Sequence, residues 1–151
     1  MCMDARDNWI YFLKLSRELP REYIHLDQAM KIHQKSLVPV TLKGLIETSS
    51  KSGAVHIIVY IHSLNELRYF NRRANKILKY LMKNSRVNIY IASSFSQVGD
   101  GSILKRKQYN FVKLPVSRSE FCSNVAHMIE MRENELYKWP GGKSPRMSLA
   151  G

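Results

Sequence analysis

The hydrophobic pattern of the chain alternates between two periods. Val55-His56-Ile57-Ile58-Val59-Tyr60-Ile61 and Val87-Asn88-Ile89-Tyr90-Ile91-Ala92 are continuous, β-branched apolar runs bounded by turn residues, the pattern of strands covered on both faces. Between them, Leu67, Phe70, Ala74, Ile77, Leu78 and Leu81 recur at three- and four-residue steps, which places them on one side of a helix. Ser63 followed by Glu66 opens that helix as a capping box, in which the Ser side chain accepts from the amide three residues on and the Glu reaches back to the cap. Strand, helix and strand with both strands covered describe a parallel pair joined by a crossover, and residues 54–95 are the centre of the chain.

The flanks extend the same alternation. Trp9-Ile10-Tyr11-Phe12-Leu13-Lys14-Leu15 reads as a first strand or as the opening of a helix. Leu19, Tyr23, Leu26, Met30 and His33 give a helix ending near Gln34, and Leu37-Val38-Pro39-Val40 gives a short strand whose Pro belongs at an edge or a strand end. Thr41 caps a weak helix through Leu42, Leu45 and Ile46. Downstream, Gln97-Val98-Gly99-Asp100-Gly101-Ser102 is a loop, and Ile103-Leu104 leaves room only for a short or distorted helix. Residues 109–115 read as a fifth strand stopped by Pro115. Ser117 and Glu120 then cap a final helix carrying Phe121, Val125, Met128, Ile129 and Leu136 to about Lys138. Five alternations predict an α/β fold, a doubly wound five-stranded parallel sheet in three α/β/α layers. One domain is expected over residues 8–138, followed by a flexible C-terminal tail over 139–151, where Trp139-Pro140-Gly141-Gly142 breaks the periodicity.

Charge changes this picture more than composition does. The net charge is +12, and residues 63–116 carry eleven basic and two acidic side chains, so +9 of it sits in the central third. Arg68, Arg72, Lys76, Lys79 and Lys83 fall opposite the apolar face of the central helix, with Arg73, Tyr69 and Tyr80 at its margin. Lys105-Arg106-Lys107 form a second basic group. A solvated helix face ordinarily mixes signs, whereas residues 63–86 hold seven basic side chains and one acid, Glu66. Like charges four residues apart destabilise a helix by a few tenths of a kcal/mol per pair. Such a concentration attracts anions, whether nucleic acid, an acidic protein surface or an anionic membrane. Arg and Lys pair with phosphates, while Tyr69 and Tyr80 either stack on bases or pack at the helix margin.

Cys2 and Cys122 fit neither a metal nor a redox spacing, which points to a reduced, cytoplasmic chain with Cys122 as a small apolar filler. No run reaches the roughly eighteen apolar residues that a membrane span needs, and the N-terminus has no signal-peptide core. The five His residues show no metal-ligand spacing, and His56, inside a strand, is expected to be buried or paired. Gly142-Lys143-Ser144 lacks the upstream Gly of a phosphate loop, because Tyr137 stands in its place. Ser93 and Ser94 lack an acid-base partner and read as strand-end turn residues. His62, at the carboxyl end of a central strand, lies where open α/β sheets place ligands, and a lone His there is more often a hydrogen-bonded structural residue than a site. The expectation is a non-enzyme with no catalytic, cofactor or metal residues.

The order of elements, together with Val87–Ser94 and Phe111–Phe121, resembles the receiver domain of the bacterial response-regulator family, with its flavodoxin-like fold. Val87–Ser94 is similar to the fourth receiver strand with its terminal Ser or Thr, and Phe111–Phe121 to the fifth strand and following helix. The family's phosphorylation chemistry uses an acidic pair after the first strand to hold Mg²⁺ and an Asp after the third. Here those positions read Lys14-Leu15-Ser16-Arg17 and Ile61-His62-Ser63, and Leu114 stands where the family has its Lys, with Lys113 one place earlier. The resemblance therefore implies a pseudo-receiver, a signalling or adaptor domain that acts by protein–protein interaction, usually through the last helix, the last strand and the fourth helix. The residues expected to contact a protein partner or other anionic macromolecule are Arg68, Arg72, Arg73, Lys76, Lys79, Lys83, Lys105, Arg106 and Lys107. A small basic nucleic-acid-binding protein using the helix face at 63–84 is the alternative.

Overall fold

A computed structural model describes residues 9–32, 34–49, 55–84, 87–101, 103–105 and 109–138. In chain order the elements are β1 (Trp9–Leu13), α1 (Glu22–Ile32), β2 (Ser36–Val40), α2 (Leu42–Ser49) and β3 (Val55–Ile61). There follow α3 (Leu64–Tyr69), a π turn (Phe70–Ala74) and α4 (Asn75–Asn84), which form one continuous rod, then β4 (Val87–Ser93). A 3₁₀ turn (Ile103–Lys105), β5 (Tyr109–Lys113) and α5 (Arg118–Lys138) complete the order. The residues expected to form a tail, 139–151, lie outside the described residues, as do Cys2, His33, Arg106 and Lys107.

All five strands are parallel, in the order β2-β1-β3-β4-β5. This is the flavodoxin-like order, with its topological switch between β1 and β3. Every residue of β3 and β4 is buried, as continuous apolar runs covered by helices on both sides must be. Pro39 lies on edge strand β2, in register with Phe12, where its missing N–H costs no ladder hydrogen bond. The opening run is a strand and not a helix. Leu15 is buried beyond its end.

Strand alternation divides the core in two. Ile10, Phe12, Ile58, Tyr90 and Ala92 face α1 and α5, meeting Leu26, Met30, Phe121, Val125, Met128 and Ile129. Tyr11, Leu13, Ile57, Val59, Ile61, Ile89 and Ile91 face the other way, against Leu42 and Leu45 of α2 and Phe70, Ala74, Leu78, Leu81 and Met82 of the rod. The result is the predicted three-layer α/β/α arrangement. The polar side chains of His56 and Asn88 are buried within the central strands. His56 and Asn88 are cross-strand neighbours, with the Asn88 Nδ2 3.4 Å from the His56 Nδ1.

Two of the helix starts are fixed by the predicted serines. The Glu66 amide donates to Ser63 Oγ at 3.2 Å, and the Glu120 amide to Ser117 Oγ at 3.1 Å. The Glu66 carboxylate departs from the expected box: its Oε1 accepts from the His62 amide at 2.9 Å, one residue before the cap. It therefore closes the end of β3 as well as the start of α3.

On the other face of the sheet, burial first and the Glu22 carboxylate second push the Tyr60 phenol from 10.0 up to about 12. The folded chain thus holds this proton more tightly than the unfolded chain. Its contribution to stability is present below pH 10 and is lost as pH rises from there to about 12. Titration of phenolate absorbance in Tyr60→Phe should lack one late-ionising group, and alkaline unfolding should become less steep; an unchanged titration would contradict the burial of this hydroxyl.

Candidate partner-binding surface

The rod seats its apolar side on the sheet and turns its basic side outward. Phe70, Ala74 and Leu78 are wholly buried, while Arg68, Arg72, Arg73, Lys76 and Lys83 are exposed. The π turn lies inside this ridge. The Asn75 amide donates to the carbonyl of Phe70, five residues back, and Asn71, Arg72 and Arg73 are three successive exposed positions on that turn. Among the described residues, Lys79 is the only member of the ridge with a carboxylate partner: its Nζ lies 2.6 Å from Asp100 Oδ2.

Asp100 belongs to the loop after β4, which is pinned to the rod at three points. The Gly99 amide donates to Asn71 Oδ1 at 2.6 Å, Lys79 pairs with Asp100, and Val98 is buried in the core under the rod. Gly99 has φ +65°, and a Cβ there would sit 2.7 Å from the Oδ1 of Asn75. Asn75 is itself buried and has little room to yield. Gly99→Ala is therefore expected to cost more than about 1 kcal/mol in urea unfolding. A neutral effect would mean that the loop does not rest on the rod.

Of the second predicted basic group, Lys105 is the member that lies among the described residues. The 3₁₀ turn contacts α4, Ile103 is buried in the same core cluster as Leu78, and Lys105 is exposed beside them. Tyr69 is half-buried against the core, a margin packing residue, whereas Tyr80 is 62% exposed. Asn71, Asn75, Gly99 and Asp100 are not among the residues that hydrophobic spacing and charge single out. The only signal for them was the Gly-Asp-Gly turn, which marks a loop without saying where it docks.

The carboxyl ends of the strands are a separate place. Ile61 pairs with Ser93, and Ser93 with Lys113, so these ends are level. His62 follows β3, its Nδ1 3.2 Å from Glu66 Oε1. Ser93 is fully buried and its Oγ accepts from the Phe95 amide at 2.9 Å, the role of a strand-end turn residue. An open cleft of about 360 Å³ lies here, lined in part by Glu22, Tyr60, His62, Ser94, Pro115 and Arg118. Cys122 is half-buried at the edge of this core, and burial pushes its thiol up. Among the described residues, no three His, Cys, Asp or Glu side chains are grouped to hold a metal ion, and no helix is long and apolar enough to cross a membrane.

No family model, curated protein or solved structure matches this chain.

Proposed function

We propose that this chain is a non-catalytic, receiver-like module, a pseudo-receiver, that binds an anionic macromolecular partner without being phosphorylated. The observation that carries the reading is the ridge: Arg68, Arg72, Arg73, Lys76 and Lys83 exposed along one rod, with no carboxylate partner among the described residues. Lys105 extends it from the neighbouring 3₁₀ turn. Repulsion along such a row destabilises the helix slightly, and an anionic partner offsets it.

The receiver-like part rests on the sheet order and on the strand ends. His62 stands after β3 where a receiver's acceptor Asp would be, and Lys14-Leu15-Ser16-Arg17 replace the acidic pair after β1. Glu66, the acid that follows β3, is committed to the His62 amide and ring.

Two measurements test the reading. Incubation with acetyl phosphate and Mg²⁺ should leave the intact mass unchanged; a phosphoryl adduct on this chain would sink it. On immobilised heparin, Arg72→Ser/Arg73→Ser should elute at lower salt than Arg21→Ser/Lys43→Ser, which removes the same charge from exposed positions elsewhere. Equal elution would show that net charge, and not the ridge, governs binding.

A further inference from the structure

The ridge has no apolar centre. The large hydrophobic side chains exposed among the described residues are Ile24, Ile32, Ile46, Leu64 and Tyr80, and Tyr80 is the one that lies between Arg68 and Lys83. Protein interfaces draw their affinity from a desolvated apolar or aromatic cluster with charges at the rim. A polyphosphate needs no such cluster, because each phosphate neutralised releases counterions. Tyr80 stands four residues after Lys76 and three before Lys83, a spacing that places the three side by side on a helix. An exposed ring between cations offers a face to an unpaired base; a duplex keeps its bases stacked inside and leaves that face unused.

Asp100 adds a second element. Its carboxylate is held at Lys79 by a loop whose neighbouring amide, that of Gly99, is bonded to Asn71 on the π turn. Asp100 is 54% exposed and its pair with Lys79 borders solvent, and a pair of that kind contributes little. A phosphate can compete with it for Lys79.

We propose that the ridge is a track for single-stranded nucleic acid. Phosphates lie along Arg68, Arg72, Lys76 and Lys83, a base stacks on Tyr80, and Asp100 is an internal anion that occupies Lys79 until the strand displaces it. From Arg68 to Lys83 the rod runs about 22 Å at the helical rise, which is the length of a short oligonucleotide and not of a point ligand. This inference rests on the reading of the ridge as an anion-binding surface.

Fluorescence anisotropy tests it with a labelled twelve-nucleotide oligo(dT), the same length of oligo(rU), a twelve-base-pair duplex and polyglutamate of matched charge, each at two salt concentrations. Single strands should bind more tightly than the duplex, with a log–log salt slope of about −0.7 per phosphate neutralised. Tyr80→Ser should weaken single-strand binding roughly 5- to 150-fold and leave duplex binding unchanged, while Tyr80→Phe, which keeps the ring, should retain it. Asp100→Asn should tighten single-strand binding and steepen the slope by about 0.7, as one more cation becomes available. Equal loss for single strand and duplex in Tyr80→Ser would overturn the stacking role and with it the proposal. Polyglutamate binding as tightly as oligonucleotide would overturn nucleic acid as the partner while leaving the ridge an anion-binding surface. Absence of binding to every polyanion would overturn both.

Discussion

Phe70→Ala should lower the free energy of unfolding by about 3–5 kcal/mol, a large part of the 5–15 kcal/mol that holds a domain together. Phe70 is completely buried, opens the π turn, and packs in the core cluster with Leu78, Ile89 and Ile91. Its removal leaves a cavity at the seat of the rod, where the backbone departs from α geometry and neighbouring side chains have little freedom to close in. Urea unfolding followed by far-ultraviolet circular dichroism gives the number directly. Arg72→Ala, two residues on and exposed, should stay within about 0.5 kcal/mol of wild type. A loss below about 1 kcal/mol for Phe70→Ala would mean that the rod is not anchored through this ring. Together the two variants separate what the rod's inner face contributes to stability from what its outer face leaves available for binding.

Reversing three ridge charges, Arg72→Glu/Arg73→Glu/Lys76→Glu, should weaken binding of an oligonucleotide at low salt by on the order of 100-fold or more, and flatten the salt slope by about 2. The net charge falls from +12 to +6, so a distributed effect must be separated from a local one. The same reversal at Arg21, Lys43 and Lys31, exposed away from the rod, provides that comparison and should keep most of the affinity. Stability should scarcely change, because these side chains are exposed and like-charge repulsion along the rod is relieved in the variant. Equal loss from both triple variants would remove the ridge as a site. Loss of the far-ultraviolet spectrum in the ridge variant would implicate the charges in folding instead.

The strands and the seating of the helices were legible because single side chains carried them. The β-branched runs at 55–61 and 87–93 are buried throughout, and Leu26, Met30, Phe121 and Val125 occupy the core positions that their spacing predicts. Pro39 marked an edge because it has no amide to pair. The π turn was not legible. Phe70, Ala74 and Leu78 stand four apart, as in an ordinary helix, and the extra residue shows only in the burial of Asn75, a polar side chain that amphipathic spacing does not assign to the core. Nor could periodicity show that Lys79 is engaged. It shares a stripe with Lys76 and Lys83, and its partner Asp100 returns to it from 21 residues away through a loop. Local patterns determined the elements; the docking of the loop on the rod depends on where β4 delivers the chain.

The π turn also bears on how this surface can change over generations. A one-residue widening of a helix is what remains when an insertion is absorbed without rotating the flanking turns. The segments before and after it still present Leu67 and Phe70, then Leu78 and Leu81, to the same sheet. Deleting Arg72 or Arg73 would restore a uniform helix and leave that seating intact, whereas Asn71 is held by the Gly99 amide. Within a turn anchored by Phe70, Ala74 and Asn71, the two arginines are thus the positions whose loss the core beneath tolerates, so the charge displayed there can be reduced or exchanged without unseating the rod.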